Sequence, residues 1–431
     1  MRRKCRQQRL CAISTPPTLI MSKGRLKVLL FVCLTSFVIL VVHFLLTTKI
    51  NAREYKVNDR TVVQYRKESV LESTNGQTLL RRIGSLGIAS GKLKSNRKLI
   101  LLITNMRSGS TFLGKLFDAN EKVLHVFEPF WPEVDDLGRR WSATDDRKIG
   151  LLQSFSTCHF DSPSALTFLA ELSSGRRQWT RYYSTALSSA TFCHDTHLQV
   201  KQPEMNTNCS FSPTAMQQTC LSKQAVVLKV IRLANISRVE SVHEHAIIRH
   251  QGMSHTPAEF HILHLVRDPR GTIHSRMKIG RLRREYQSYH PNEQNVGNEA
   301  MVEFSANRLC KQISYTLSVG ESRLPWILGK YFRVRFEDIA LHPVVQMTEL
   351  FHHYDMEMKP EVLHWIQSNT HGAALHSQPQ PRQSLQTNRN STLVVDSWRI
   401  LLKSAKGRKY VDIIEKQCSD VMRHLRYDLA M

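Results

Sequence analysis

Hydrophobic residues are concentrated in one long run near the N-terminus and in several short runs that begin after residue 98. The long run, VLLFVCLTSFVILVVHFLL at 28–46, is nineteen residues without a charge. As a helix it would measure about 28 Å, close to the hydrocarbon thickness of a bilayer. Core helices are seldom apolar on every side, and a secretory signal would be shorter and end at a small-residue cleavage site. The pattern therefore predicts one transmembrane helix at 28–46.

Charges on either side of this run predict its orientation. Residues 1–27 carry eight basic residues and no acidic one, and a short basic segment of this kind stays in the cytosol. We therefore expect a cytosolic tail at 1–27 and a single-pass type II signal anchor. Residues 47–97 are polar without sustained periodicity, which is typical of a flexible stem. Domain 98–431 would then be lumenal or extracellular.

The short apolar runs are typical of buried parallel strands. They lie at 99–104, 225–231, 260–266 and 331–336, and the segments between them are long enough for crossover helices. The sequence therefore predicts an α/β domain at 98–431 with a central parallel sheet flanked by helices.

Most of the positive net charge lies outside the predicted globular domain. The chain has 60 Lys and Arg against 36 Asp and Glu, a formal charge of +24, which usually indicates an anionic partner. Residues 1–97 contribute +15, so only +9 remains on the predicted globular domain. The charge therefore gives little support to a nucleic-acid-binding function.

Cysteines and glycosylation tripeptides agree with a lumenal domain. Asn208, Asn235 and Asn390 each begin an Asn-x-Ser/Thr acceptor. An even number of cysteines in an oxidising compartment predicts disulfides, and we expect Cys209 and Cys220 to form the local pair. The six cysteines after the anchor are Cys158, Cys193, Cys209, Cys220, Cys310 and Cys418.

A candidate phosphate-binding loop follows the first predicted strand. The segment reads NMRSGSTFL at 105–113, where Gly109 permits a tight turn and Ser110 and Thr111 open an amphipathic helix. N–H groups at a helix N-terminus and nearby hydroxyl groups bind phosphate. Arg107 adds a positive charge with forked donors. A plain strand–turn–helix without a ligand is the alternative.

The same loop nearly matches the Walker A motif of nucleotide kinases. Gly109 and Gly114-Lys115 have the right spacing, but Leu116 stands where the motif has a Mg²⁺-binding Ser or Thr. If the helix begins at Ser110, Gly114 and Lys115 lie a turn inside it and cannot wrap a phosphate. A P-loop kinase is therefore the less favoured interpretation.

Two motifs together resemble those of the Golgi carbohydrate sulfotransferases, in the branch that sulfates the 6-hydroxyl of galactose, N-acetylgalactosamine or N-acetylglucosamine in keratan or chondroitin sulfate. The family's 5′-phosphosulfate loop, Arg-Ser/Thr-Gly-Ser-Ser/Thr-Phe, is matched at 107–112. Its 3′-phosphate motif, Arg-Asp-Pro-Arg followed by Ser-Arg, is matched at 267–270 and 275–276. The sequence departs from the family at Asn105-Met106, where two Thr are commoner, and at Pro132, where many members have His.

This resemblance covers the type II layout and roughly residues 98–431. It implies a P-loop-like sulfotransferase fold, 3′-phosphoadenosine 5′-phosphosulfate (PAPS) as co-substrate, no metal, a Golgi membrane location and a glycan or proteoglycan acceptor. It also makes the chain a candidate for homo-oligomerisation. The residues implied to bind the nucleotide are Arg107, Ser108, Gly109, Ser110, Thr111, Phe112, Arg267 and Ser275.

Glu128 is the residue that the resemblance implies as general base. It lies in VFEPFW at 126–131 and is expected to follow the next strand at the same edge of the sheet as Arg107. A carboxylate there would take the proton of a sugar hydroxyl, while Arg107 stabilises charge on the leaving nucleotide. The alternative is a structural ion pair between Glu128 and Arg107. Trp398-Arg399 also recurs in the family and is expected near the nucleotide.

Histidines are frequent between 243 and 264 but lack the spacing of a zinc site, since His243-Glu244-His245 does not continue as His-Glu-x-x-His. We predict no metal site; a mildly acidic lumen could nonetheless charge several of these histidines, which would add attraction for polyanions. The alternative from another class is a membrane-anchored binder of anionic glycans that has lost activity. Against it stands Glu128, because a binder has no need of a base beside a phosphate loop.

Overall fold

The computed structural model describes residues 97–130, 145–194, 208–231, 233, 235–250, 258–293, 295–370 and 391–429. The predicted tail and anchor, and the predicted stem except Arg97, lie outside these residues, as do Pro132 and Asn390. Among the described residues, no helix has the length and apolar character needed to cross a membrane.

A parallel sheet is the centre of the described domain, and its strand order is β2-β3-β1-β4-β5. The prediction of a central parallel sheet is confirmed, and the four apolar runs match β1, β3, β4 and β5 to within one residue at each end. The strands are β1 Lys98–Thr104, β2 Val123–Phe127, β3 Ala225–Val230, β4 Glu259–Val266 and β5 Tyr331–Arg335.

Helices cover both faces of the sheet, which explains why its strands are continuous apolar runs. In β1, Leu99 and Leu101 enter one core cluster while Ile100 and Leu102 enter the other. The helices are α1 Ser110–Asp118, α2 Asp145–Thr157, α3 Pro163–Ser173, α4 Gln178–Tyr182, α5 Pro213–Leu221, α6 Glu240–His250, α7 Pro269–Lys278, α8 Arg281–Gln287, α9 Asn298–Gly320, α10 Phe336–Leu341, α11 Pro343–His353, α12 Pro360–Thr370, α13 Ser391–Val395 and α14 Ala405–His424.

A third core cluster joins α7, α8, α9 and α14 beside the end of β4. Val266 and Ile273 belong to this cluster, so the 3′-phosphate motif between them is supported by the C-terminal helix. The disulfide Cys310–Cys418 links α9 to α14, with Cα atoms 5.4 Å apart.

All six cysteines of the domain form disulfides, but the expected pair Cys209–Cys220 is wrong. Cys209 pairs with Cys193, because an antiparallel β-bridge places the two residues directly opposite each other. Cys220 lies near the end of α5, where its side chain is buried against the end of α2 and pairs with Cys158. Helix α5 therefore separates Cys209 from Cys220.

Candidate active site

The predicted site residues meet at the carboxyl ends of four adjacent strands. Glu128 follows β2, the loop 105–109 follows β1, and Arg267 follows β4. Between β2 and β1, Lys229 is the penultimate residue of β3. In open α/β sheets ligands bind at this edge, near the strand from which the connections run in both directions.

The loop after β1 has the geometry of an anion-binding turn. Helix α1 begins at Ser110, as predicted, and Gly109 before it has φ 87° in the left-handed region. A Cβ at Gly109 would overlap the ring of Phe336, so only glycine fits there. The first N–H groups of a helix have no intrahelical partner and carry the positive end of its dipole. The residues present therefore fit a phosphate or phosphosulfate group at this position.

Side chains of the second motif hold this loop. Nε of Arg107 donates a hydrogen bond to Oγ of Ser275 at 3.0 Å. Arg267 donates from Nη1 to the Arg107 carbonyl at 3.0 Å, and Arg276 donates from Nε to the Met106 carbonyl at 3.2 Å. Arg107 has φ 73°, which is uncommon for a residue with a side chain. These contacts fix that backbone and bring the two predicted motifs together.

Arg267 is buried next to the loop rather than extended into solvent. Its Nη2 donates to the Val394 carbonyl at 3.1 Å, and its guanidinium lies 4.6 Å from the centre of the Phe336 ring. Burial lowers the pKa of Arg267, and the nearby carboxylates of Glu337 and Asp268 act in the opposite direction. A guanidinium keeps its charge even when it is buried. Arg267 therefore places a buried positive charge beside the loop.

Buried acidic residues organise the start of α7. Asp268 caps the helix by accepting the Arg270 N–H at 2.8 Å, and its own N–H donates to Glu337 at 3.0 Å. Tyr427 donates its hydroxyl to the other oxygen of Glu337 at 2.8 Å. Burial raises the pKa of Glu337. The backbone of the 3′-phosphate motif is thus held by residues from α10 and from beyond α14.

Arg270 connects the start of α7 to α14. It forks onto Asp268 with contacts of 2.7 to 3.2 Å, and it reaches Glu415 on α14 at 2.7 Å. Its guanidinium lies 4.0 Å from the centre of the Trp398 ring. Trp398 is therefore next to the 3′-phosphate motif, whereas Arg399 pairs with the exposed Asp396.

Glu128 forms a buried ion pair with Lys229, a residue that lies outside the sequence motifs. Lys229 Nζ lies 2.9 Å from Oε1 of Glu128 and 3.1 Å from Oγ1 of Thr111, and it is 3.8 Å from the centre of the Phe127 ring. Lys229 is only 2% exposed, and Glu128 only 9%. The one ammonium group therefore joins the predicted base to the phosphate loop.

A single charge within the apolar run AVVLKV is the signal that would have found Lys229. A lysine that the sheet must bury requires a partner, and the partner is then expected at the same edge. The strand register explains why Glu128 is that partner. Lys229 pairs with Phe127, the residue before Glu128, on one side and with Leu102 on the other.

The described ranges contain no group of three or more His, Cys, Asp or Glu side chains arranged to hold an ion. Burial lowers the pKa of His261 to about 4 and that of His264 to about 3. These two are therefore not among the histidines that a mildly acidic solution would charge.

Among solved structures, the chain resembles sulfotransferases at low sequence identity. The sulfotransferase domain from the curacin biosynthetic pathway is 13% identical, with a TM-score of 0.42 over 78% of this chain and 99% of that one. A mouse sulfotransferase complexed with PAP is 11% identical, with a TM-score of 0.36 over 76% of this chain and 88% of that one.

Sequence similarity extends over most of the chain. Mouse carbohydrate sulfotransferase 1 is 24% identical, covering 78% of this chain and 80% of that protein. Human carbohydrate sulfotransferase 6 is 27% identical, covering 81% of this chain and 85% of that protein. Residues 97–422 match the sulfotransferase domain family. Because this match spans the loop, the second motif and all five strands, the protein belongs to the sulfotransferase family and is a sulfotransferase enzyme.

Proposed function

We propose that the protein transfers the sulfuryl group of PAPS to a hydroxyl group of a sugar, and that Glu128 is the general base. The observation that carries this proposal is the placement of a buried carboxylate at the strand edge that also holds the phosphate loop, with Lys229 between them. Several relatives are named carbohydrate sulfotransferases, which supports a carbohydrate acceptor.

In this proposal the loop and the second motif bind opposite ends of the nucleotide. Ser108, Gly109, Ser110 and Thr111, with the start of α1, hold the 5′-phosphosulfate by N–H and hydroxyl donors. Ser275 and Arg267 bind the 3′-phosphate. Ser275 and Arg267 both contact Arg107, so the residues proposed to bind the two ends of the nucleotide are in direct contact. The Phe112 ring, at the start of α1, packs in the core with its centre 5.8 Å from that of Trp365, so only the Phe112 backbone is proposed to lie near the nucleotide.

The co-substrate supplies an activated sulfuryl group. As the acceptor oxygen forms a bond to sulfur, the bond from sulfur to the 5′-phosphate oxygen breaks and adenosine 3′,5′-bisphosphate (PAP) leaves. Glu128 accepts the proton of the acceptor hydroxyl. Arg107 and the start of α1 stabilise the negative charge that develops on the leaving phosphate.

Lys229 contacts Glu128, the group whose charge changes when the acceptor proton is transferred. Before transfer its ammonium group neutralises Glu128, which makes burial of the carboxylate tolerable. When Glu128 takes up the proton it loses its negative charge, and Lys229 remains within hydrogen-bond reach of Thr111 at the start of α1. Its positive charge is then available to the leaving phosphate.

The finer assignment is a 6-hydroxyl of galactose, N-acetylgalactosamine or N-acetylglucosamine, in a single-pass type II protein of the Golgi membrane. Asn208 and Asn235 are exposed, as glycan attachment requires. Asn235 uses only its Oδ1 to accept from the Ser237 N–H at 2.9 Å and from Tyr315 at 2.6 Å. A glycan on its Nδ2 is compatible with both contacts.

The test uses the full chain, solubilised in detergent and incubated with ³⁵S-labelled PAPS and a panel of desulfated acceptors. The panel contains keratan, chondroitin and oligosaccharides with terminal N-acetylglucosamine, and the Glu128→Gln variant is the control. Transfer to one acceptor class, with the product sulfated at C6 by NMR, is the expected result. A chain that binds PAP but labels no acceptor would overturn the proposal.

A further inference from the structure

The turn that carries Glu128 has a backbone conformation that its sequence does not favour. Glu128 has φ 42°, in the left-handed region, and Pro129 follows it. A residue before proline normally adopts an extended conformation, and a non-glycine residue with positive φ is uncommon. Such a conformation persists only where the surrounding structure holds it, and it often does so at a functional site.

Arg177 holds this turn from a buried position. Its Nη1 donates a hydrogen bond to the Pro129 carbonyl at 2.6 Å, and Arg177 is itself 8% exposed. Glu171 anchors the other side of the guanidinium, with its Oε2 2.6 Å from both Nε and Nη2. The Phe168 ring lies 5.0 Å away. Glu171 and Phe168 therefore hold the Arg177 guanidinium in the orientation that contacts Pro129.

The segment 177–183 contacts alternate residues along β2 and its extension. The Tyr183 carbonyl lies 3.1 Å from Nδ1 of His125, and the Tyr183 ring stacks on Phe127 with centres 4.5 Å apart. Arg177 then contacts Pro129, two residues farther. One short segment thus contacts His125 and Phe127 in β2 and Pro129 beyond it, in the turn that contains Glu128.

We propose that Arg177 is a positioning residue for sulfuryl transfer, acting through Glu128. Lys229 fixes the carboxylate end of Glu128, and Arg177 fixes the backbone from which that side chain extends. This role rests on the proposed function of Glu128 as general base. It predicts that loss of Arg177 affects the chemical step rather than nucleotide binding, because the loop 105–109 has other supports.

The first test compares Arg177→Met with Arg176→Met in the full chain. Arg176 is the exposed neighbour, so this pair removes the same side chain from a buried and an exposed position. We expect Arg177→Met to lower the single-turnover rate about 10- to 100-fold, as small misplacements of catalytic groups do. Affinity for PAP by calorimetry should stay within about threefold. Arg177→Lys, which keeps the charge, should recover part of the rate.

A double-mutant cycle separates positioning from a general structural role. If Arg177 acts through Glu128, adding Arg177→Met to Glu128→Gln should lower the remaining rate by less than about threefold. Equal losses in both backgrounds would overturn the proposal. The PAP-binding stoichiometry gives the folded fraction, and Arg177→Lys carries the test if Arg177→Met does not fold.

These outcomes are distinct from failure of the proposed function. If the unaltered chain transfers sulfate to no acceptor, the proposed function fails and Arg177 has nothing to position. If the unaltered chain is active and Arg177→Met has the same rate as Arg176→Met, the proposed function stands and the role of Arg177 is wrong.

Discussion

Arg107 and Ser275 are joined by a hydrogen bond of 3.0 Å although they are 168 residues apart in the sequence. One residue follows β1 and the other lies on the helix that follows β4, and these two strands are neighbours in the sheet. The loop assigned to the reacting end of the nucleotide is therefore in direct contact with the motif assigned to its 3′-phosphate.

Replacement of these two residues should have different effects. Arg107→Ala should abolish transfer and weaken PAP binding, because a charge-assisted contact is lost. Ser275→Ala should mainly raise the KM for PAPS, by about tenfold, because in the proposed site Ser275 binds a phosphate that does not react. Steady-state kinetics and calorimetry measure both, with Ser288→Ala, at the exposed residue that follows α8, as control. Normal nucleotide binding by Arg107→Ala would refute the cofactor site.

Glu128→Gln keeps the shape of the side chain but removes its capacity to take a proton. The single-turnover rate should fall about 10²–10⁴-fold, and the acidic limb of the pH–rate profile should disappear. Affinity for PAP should change little. If Glu128 has only a structural role, PAP binding should instead fall together with the rate, and the limb should remain in the residual activity.

Lys229→Met leaves a buried carboxylate without its ammonium partner. We expect the free energy of unfolding to fall by about 3–5 kcal/mol, as for other broken buried ion pairs. The double variant Lys229→Met/Glu128→Gln removes both charges and should regain much of this loss. Urea denaturation of the three variants measures the effect. Equal stability of the single and double variants would show that the pair is not coupled.

Buried histidines should make the domain less stable as the pH falls. Burial lowers the pKa of His264 to about 3, whereas an unfolded histidine titrates near 6.5. Below about pH 6.5 the unfolded state binds a proton that the native state does not, so stability decreases toward pH 4. Each such histidine contributes up to about 1.4 kcal/mol per pH unit.

His264→Gln tests this assignment, since an amide can keep the contact that His264 makes with the Tyr331 hydroxyl at 2.7 Å. The slope of unfolding free energy between pH 6.5 and 4.5 should become shallower. It should not become flat, because the pKa of His125 is also lowered to about 4 by burial. His194→Gln, at an exposed position, should leave the slope unchanged. An unaltered slope in His264→Gln would contradict the assignment.

The central sheet and the position of three candidate residues at one edge of it were predictable because both follow from local patterns. Apolar runs identify buried strands, and parallel strands place their carboxyl ends together, so Arg107, Glu128 and Arg267 were expected at one edge. Lys229 required knowledge of the register between β3 and its neighbours. The Arg177 contact depends on how a helical segment packs against β2, which no local pattern specifies.

Disulfide pairing was not predictable for a similar reason. Proximity in sequence favoured Cys209–Cys220, but the pairing depends on a β-bridge between Cys193 and Cys209 and on the direction in which α5 buries Cys220. Both are tertiary features, and six cysteines alone allow fifteen connectivities.

The supports of the 3′-phosphate motif have a consequence for biosynthesis. Arg270 contacts Glu415, which is 145 residues later in the chain, and Glu337 is held by Tyr427, 90 residues beyond it. A ribosome delivers these partners long after the motif itself has emerged. The strands and the loop can assemble earlier, but a nascent chain arrested before α14 lacks the partners of Arg270 and Glu337. Nucleotide binding should therefore be absent from such arrested chains, and should first develop once residue 427 has been released from the exit tunnel.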